Sequence, residues 1–190
     1  MAPELDIEYF ADGAEFRRWL SENYDVSPGV WLKMAKKSSP HSSIDYDQAL
    51  DVALCFGWID SLPRKVDDNF FLRKFSPRTT RSPWSKRNVE IVARLESEGL
   101  LEPAGIAAIE KAKADGRWER AYEGSAKAEV PQDFLDALAL NPQAQAFYET
   151  LNSTNRFAIF YRLLEAKRPE TRTRRIQKFI SQLEEGKKFH

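Results

Sequence analysis

Proline placement constrains the fold of this chain more than any other feature. From Pro83 onward, proline recurs where a helix would begin, and a first-turn residue loses nothing by lacking an N–H. Between these prolines the apolar residues recur at helical spacing, most clearly at Ile176, Phe179, Ile180 and Leu183. The pattern predicts helices over Pro83–Ser97, Pro103–Asp115, Pro131–Leu140, Pro142–Leu151, Ser153–Lys167 and Glu170–Glu185.

The first half of the chain mixes helical and extended patterns. Ala14–Tyr24 carries its apolar residues on one helical face, whereas Val30–Lys36 reads as a strand. A second helix is expected to begin after Asp45, because Gln48 three residues later completes a capping-box pattern. Gly57 suits the end of that helix, since glycine tolerates the left-handed backbone found there.

Two extended segments, Trp58–Val66 and Asn69–Phe75, are predicted to form a hairpin around residues 67–69. Pro63 places its strand at a sheet edge or at a bulge, because proline cannot donate to the ladder. With Val30–Lys36 this gives a small, mainly antiparallel sheet packed with helices, followed by an all-helical C-terminal half. The predicted fold class is α+β.

A small, polar stretch, Glu123–Val130, is the best linker candidate. The 190 residues suit one domain or one with an appendage. We therefore expect an α+β domain over residues 1–122 and a helical domain over residues 130–190.

Charge is segregated along the chain although the formal net charge is zero. Basic minus acidic residues give −6 for residues 1–62, +6 for 63–87, −5 for 88–161 and +5 for 162–190. Two interpretations stay open: the blocks neutralise one another across the fold, or one or both basic blocks form a local positive face.

The segment Phe56–Asn88 interleaves aromatic and basic residues and then begins a helix. Either Ser82 or Ser85 can cap that helix, whose free amides and partial positive charge suit an anion. Basic residues in a first turn oppose the helix dipole, a mismatch that a bound anion relieves. The predicted ligand-binding residues are Trp58, Asp60, Arg78, Arg81, Ser82, Trp84, Ser85 and Asn88.

Two of these features also have purely structural interpretations. Asp60, next to Trp58 on a strand face, fits an ion pair with an arginine as well as contact with a ligand. The run Lys167–Lys178 holds six basic residues in twelve positions, typical of a solvated helix face or of weak nucleic-acid contact.

Catalysis has little support in the sequence. There are two histidines, no metal-ligand spacing and no glycine-rich loop before a helix, so no catalytic residue, metal or cofactor is predicted. Cys55 fits a buried structural thiol. The apolar runs are too short to span a membrane, and the first residues lack a secretory pattern, so we expect a cytoplasmic protein.

Three segments carry a resemblance to a known family: Ala53–Ser61 (ALCFGWIDS), Phe75–Asn88 and Asn141–Ile176. In this order they resemble the bacterial YdeI/OmpD-associated family, also labelled OmdA or bacteriocin-protection proteins. The resemblance implies a link to envelope stress, antimicrobial-peptide resistance and a porin partner, and it supplies no catalytic residues. Its motif positions mark a candidate pocket at Trp58, Asp60, Arg78, Ser82, Trp84, Ser85 and Asn88.

We therefore expect a non-catalytic protein that binds an anionic small molecule or a phosphate-bearing partner near Trp58, Arg78 and Trp84. One alternative is a nucleic-acid-associated protein that uses the basic segments 63–87 and 162–190 with exposed aromatic rings for stacking. A second is an enzyme in which Asp60 acts with a nearby Arg or Ser, which requires these side chains to converge in a cleft.

Overall fold

The computed structural model of this chain describes residues 4–124 and 129–189. The chain divides into two compact units, Met1–Tyr122 and Glu123–His190. The first unit combines a sheet with helices, and the described part of the second unit contains only helices. The predicted α+β fold class is therefore confirmed. Residues 125–128, which belong to the expected linker, lie outside the described residues.

The sheet of the first unit has four strands within the described residues: β1 (Ile7–Glu8), β2 (Val30–Ala35), β3 (Trp58–Lys65) and β4 (Phe70–Pro77). Their order is β1-β2-β4-β3, with β4 antiparallel to both β2 and β3. The predicted strand and hairpin are confirmed. β1, which pairs parallel to β2, was not predicted, because two residues are too short to show alternation.

The edge strand β3 carries the irregularity that Pro63 predicted. Its register against β4 shifts between Asp60 and Pro63, so the residue without an N–H lies at a bulge on the outer edge. Before the shift, Asp60 faces Phe75 directly across the ladder. Residues two apart on a strand share a face, so Asp60 and Arg73 lie on the same side of the sheet as the fully buried Phe75.

Four helices complete the described part of the first unit: α1 (Gly13–Asn23), α2 (Tyr46–Cys55), α3 (Lys86–Ser97) and α4 (Pro103–Ala114). The predicted capping box of α2 is present, with Asp45 and Gln48 each accepting a backbone N–H of the other. Helix α1 packs on the sheet through Phe16, whose ring meets Phe75 edge-on at 5.7 Å.

The start of α3 differs from the prediction. The helix begins at Lys86 rather than Pro83, and its cap is Ser85, whose Oγ accepts the Asn88 N–H at 3.1 Å. Pro83 therefore lies in the preceding loop. The reason is a tertiary contact, because the extended backbone of Ser85 forms a bridge with Tyr122, which leaves the residues before Ser85 outside the helix.

The end of α2 is held close to α4 and to the end of β4. A Cβ on Gly105 would lie 2.2 Å from the Cys55 carbonyl oxygen, so only glycine permits this approach. Gly57 follows with a left-handed backbone (φ +72°), and its carbonyl accepts the Arg78 N–H at 3.0 Å. This contact fixes where Arg78 leaves the sheet.

The second unit contains α5 (Gln132–Ala139), α6 (Pro142–Glu149), α7 (Ser153–Leu164) and α8 (Pro169–Glu184). These helices agree with the predicted ones to within about three residues at each end, the usual uncertainty of helix boundaries. Pro142 and Pro169 occupy first-turn positions as predicted. The core is formed by Phe134, Leu138, Ile159, Leu163, Phe179 and Leu183.

Candidate functional site

Arg78 is the centre of the candidate site, because its charged group is buried in the first unit. Its guanidinium carbon lies 3.6 Å from the ring centre of Trp84, and its Nη1 donates to the Pro83 carbonyl at 3.0 Å. Its Nε and Nη2 are buried and have no hydrogen-bond partner within the described residues. Unpaired buried donors are costly, so these two nitrogens favour a partner that accepts hydrogen bonds.

The surroundings depress the basicity of this arginine. Burial, together with the positive charge of Arg117, lowers the pKa of Arg78 to about 9, while Tyr122 and Asp60 act in the opposite direction. A guanidinium with a pKa of about 9 remains protonated at neutral pH. The site therefore keeps a buried positive charge under ordinary conditions.

Asp60 is held by two partners rather than left open. Its Oδ2 accepts from the Tyr46 hydroxyl at 3.0 Å and from Arg73 Nη1 at 3.3 Å. Arg73 also donates to the Ser61 carbonyl at 2.9 Å, and its guanidinium carbon lies 4.7 Å from the Tyr46 ring centre. The ion pair that the sequence allowed for Asp60 is present, and its partner is Arg73.

Both tyrosines near Asp60 resist ionisation. Burial, then the charge and hydrogen bond of Asp60, raise the pKa of Tyr46 to about 12. Burial and the negative charge of Asp60 also raise the pKa of Tyr122. Both phenols are therefore neutral at physiological pH, and neither supplies a charge to balance Arg78.

Trp58, which the sequence placed in the ligand site, has a structural role here. Its indole is 1% exposed, its Nε1 donates to the Tyr24 carbonyl at 3.0 Å, and its ring meets Trp19 edge-on at 6.0 Å. Trp84 differs from Trp58 in one respect. Its indole is equally buried, but its Nε1 has no hydrogen-bond partner within the described residues.

The start of α3 is less available to an anion than the sequence suggested. The Lys86 N–H donates to the Tyr122 carbonyl at 2.9 Å, and the Asn88 N–H is taken by the Ser85 hydroxyl. Two of the first-turn amides are therefore already bound to the protein. The geometry moves the candidate site from the helix terminus to the arginine before it.

Two further predicted residues, Ser82 and Arg81, lie in the loop between β4 and α3 and have different surroundings. Ser82 Oγ accepts the Thr79 N–H at 3.0 Å and is thus part of a turn. Arg81 is exposed, and its guanidinium makes no hydrogen bond or ion pair within the part of the chain that the structure describes. Of the predicted residues, the structure groups Asp60, Arg78 and Trp84 and leaves Arg81 in solvent.

Four residues around the site were not predicted: Tyr46, Arg73, Arg117 and Tyr122. Arg117 supports the loop, since its Nη1 donates to the carbonyls of Thr79 and Ser82 at 3.2 and 3.0 Å. Arg73 could have been found from the hairpin register, which places it on the Asp60 face. No sequence spacing identifies the other three, because they come from separate elements.

Several basic residues of the charged blocks pair with acidic residues of other blocks. Arg87 Nη2 lies 2.7 Å from Asp47 Oδ1, and Arg172 Nε lies 2.5 Å from Asp133 Oδ2. With the Arg73–Asp60 pair, these contacts support neutralisation across each unit. They also reduce the positive surface that the nucleic-acid alternative requires.

The described residues contain no cluster of histidine, cysteine and carboxylate side chains that could hold a metal ion. Cys55 is buried, and burial raises the pKa of its thiol, which favours the unreactive protonated form. Within the same residues, no helix combines the length and apolar character that crossing a membrane requires.

Two family descriptions match this chain. Residues 8–108, just over half of the 190 residues, match a domain of unknown function (DUF8412). Residues 127–186 match the description "Bacteriocin-protection, YdeI or OmpD-Associated". Neither a curated protein nor a solved structure matches the chain. The first match contains the Arg78 site, and the second covers most of the helical unit.

Proposed function

Because this chain belongs to the DUF8412 family and its helical unit matches the YdeI/OmpD-associated family, neither of which names a reaction, we propose from its geometry that it binds an anionic small molecule at Arg78. The binding is non-catalytic, and the ligand bears a phosphate, sulfate or carboxylate group. The observation that carries the proposal is the buried guanidinium with two unpaired donors. Bacteriocin protection and stress are the biological setting we propose for this binding.

Charge counting supports an anionic ligand. Asp60 contributes one negative charge to the cluster, whereas Arg73 and Arg78 contribute two positive charges. The charge of the neighbouring Arg117 is paired with Asp115 and leaves this balance unchanged. Tyr46 and Tyr122 remain neutral because their pKa values are raised. The cluster therefore has one uncompensated buried positive charge, which is expensive in a low-dielectric interior.

Hydrogen-bond geometry supports the same class of ligand. Nε and Nη2 lie on one edge of a guanidinium, the edge that binds a carboxylate or phosphate with two parallel hydrogen bonds. The opposite nitrogen, Nη1, is held by the Pro83 carbonyl, and the guanidinium carbon lies 3.6 Å from the Trp84 ring centre. The cation is thus oriented before an anion arrives, although the anion must displace the groups that now cover Nε and Nη2.

The test compares two arginines of the same loop. Thermal unfolding and tryptophan fluorescence of the full chain are measured with sulfate, phosphate, acetate and citrate at constant ionic strength. At least one anion should raise the melting temperature of wild type and of Arg81→Met, but not of Arg78→Met. Arg81→Met is the matched control, because Arg81 is exposed.

Two outcomes would overturn the proposal. One is equal stabilisation of all three proteins, which would assign the effect to general salt screening. The other is the absence of any anion effect on wild type, which would make Arg78 a structural residue that packs on Trp84.

A further inference from the structure

The helical unit contains an open cleft of about 410 Å³ between α5, α6, α7 and the segment before α5. This volume lies near the lower end of the range for small-molecule sites, about 300–1,000 Å³. We propose that this cleft binds a small monocarboxylic acid with an apolar body. The proposal concerns a different unit from the Arg78 site and does not depend on it.

Helical spacing explains why these side chains share one cleft. Ser153, Arg156 and Phe157 stand at i, i+3 and i+4 on α7, so they lie on one face of that helix. Gln132 and Leu135 stand at i and i+3 on α5 and line the facing wall. Two helix faces therefore present polar and apolar groups to the same space.

Arg156 provides the anion-binding group. Its Nη2 donates to the Glu149 carbonyl at 2.9 Å, and its guanidinium carbon lies 5.0 Å from the Tyr148 ring centre. Its Nε is buried and has no hydrogen-bond partner within the described residues. As at Arg78, an oriented guanidinium retains a donor without an acceptor within the described residues, and Arg156 itself lines the cleft.

The start of α7 adds to this preference for an anion. Ser153 is the first residue of the helix and lines the cleft, where the positive end of the helix dipole lies. Asn152 caps the helix by accepting the Asn155 N–H at 3.0 Å, so the cap itself is internal. The Ser153 hydroxyl supplies a further donor beside the guanidinium.

The remaining lining residues determine the class of acid. Glu129 carries a negative charge at the exposed edge of the cleft, and Tyr148 is kept neutral because burial raises its pKa. One carboxylate opposite one guanidinium disfavours a dianion such as a phosphate monoester. Val130, Leu135 and Phe157 offer apolar contact area to an alkyl or aryl body.

Phenylacetate is a suitable probe, with phenyl phosphate, phenethylamine and acetate as comparisons. Titrated into the full chain and followed by two-dimensional NMR, phenylacetate should shift residues that line the cleft and bind more tightly than the other three. Arg156→Met should weaken binding by about tenfold or more through loss of a charged hydrogen bond. Arg168→Met is the matched control, since Arg168 is an exposed arginine of the same unit.

A second variant protects the test against misfolding of Arg156→Met. Glu129 is exposed, so Glu129→Gln should leave the fold intact and tighten phenylacetate binding by a few fold by removing repulsion. Binding unchanged in both variants would overturn the proposal, as would phenethylamine binding as well as phenylacetate. Loss of phenylacetate binding in Arg78→Met would place the acid at the other site and overturn it too.

Discussion

The guanidinium carbon of Arg78 lies 3.6 Å from the ring centre of Trp84, and both side chains have polar nitrogens without hydrogen-bond partners in the described residues. The cation–π contact compensates part of the cost of burying the charge, typically about 2 kcal/mol when desolvated. It provides no acceptor for the Arg78 Nε and Nη2 donors. The contact with Trp84 therefore holds the Arg78 guanidinium in place while two of its hydrogen-bond donors lack acceptors. This combination is expected of a preorganised binding group.

The substitutions Arg73→Met and Arg78→Met should lower the free energy of unfolding by different amounts. Arg73→Met leaves Asp60 without its ion-pair partner, and since both side chains keep some solvent exposure we expect a loss of about 2 kcal/mol. Arg78→Met removes an uncompensated charge and retains an apolar side chain over Trp84, so its unfolding free energy should stay within about 1 kcal/mol of wild type.

Urea denaturation in a buffer of low anion content measures both values, with Arg81→Met as the variant expected to change nothing. If Arg78→Met lost as much stability as Arg73→Met, the Arg78 charge would have to be compensated within the protein already.

The helices and the hairpin were predictable because their signals are local. Proline at first turns, the capping box at Asp45 and helical spacing in α8 each depend on a few adjacent residues. The start of α3 was misplaced because Pro83 and Ser85 both satisfy local rules. The choice between them depends on Tyr122, a residue far along the chain that bridges to Ser85.

The sequence singled out the loop that carries the candidate site, but it did not indicate that Arg78 would be the buried arginine of that loop. A loop rich in basic residues suggests exposed charge, and Arg81 follows that expectation. Arg78 does not, because Arg117 holds the loop through the Thr79 and Ser82 carbonyls. Burial of one arginine among several is a tertiary effect, so composition cannot identify which one it is.

Because α4 approaches α2 closely at Gly105, adding one methyl group there should lower the stability of the protein substantially. Gly105→Ala places a methyl group 2.2 Å from the Cys55 carbonyl oxygen, so α4 must move away. Alanine normally favours a helix interior by about 1 kcal/mol, yet here we expect destabilisation of about 2 kcal/mol or more.

Gly13→Ala in α1 is the matched control, since its added methyl would make only ordinary contact, at 3.6 Å from Val52. That variant should be neutral or slightly stabilising in thermal unfolding. Equal behaviour of the two variants would mean that α4 can shift without cost.

The hydrogen bond from Tyr46 to Asp60 should make the stability of the protein depend on pH in the alkaline range. The pKa of Tyr46 in the folded protein is about 12, above its ordinary value of 10.0, because burial and Asp60 disfavour the phenolate. The contribution of the hydroxyl is therefore fully present below pH 10 and is lost as pH rises through 12. Tyr46→Phe should cost about 1–2 kcal/mol at pH 7.

The difference between wild type and Tyr46→Phe should narrow as the pH rises above 10, measured by urea unfolding at each pH. Absorbance of tyrosinate at alkaline pH gives an independent check, because Tyr46 should ionise late. A constant difference across this range would contradict the raised pKa.

Sulfate binding should weaken at alkaline pH if it requires the charge of Arg78. Without ligand the pKa of Arg78 is about 9, because the group is buried, and a bound anion stabilises the protonated form. Affinity should therefore be constant below pH 9 and fall about tenfold for each pH unit above it, since binding then takes up one proton. Sulfate itself does not titrate in this range, so the change belongs to the protein.

Tryptophan fluorescence at constant ionic strength measures this profile, and Arg81→Met should reproduce it because that arginine lies in solvent. A profile that stays flat well above pH 9 would show that sulfate does not depend on the Arg78 proton. Because the same charge makes Arg78 costly when no anion is bound, the pH at which affinity falls should coincide with the pH at which the unliganded protein begins to gain stability. If sulfate affinity falls at the same pH at which the unliganded protein gains stability, both the binding of sulfate and the free-energy cost of the buried charge belong to Arg78.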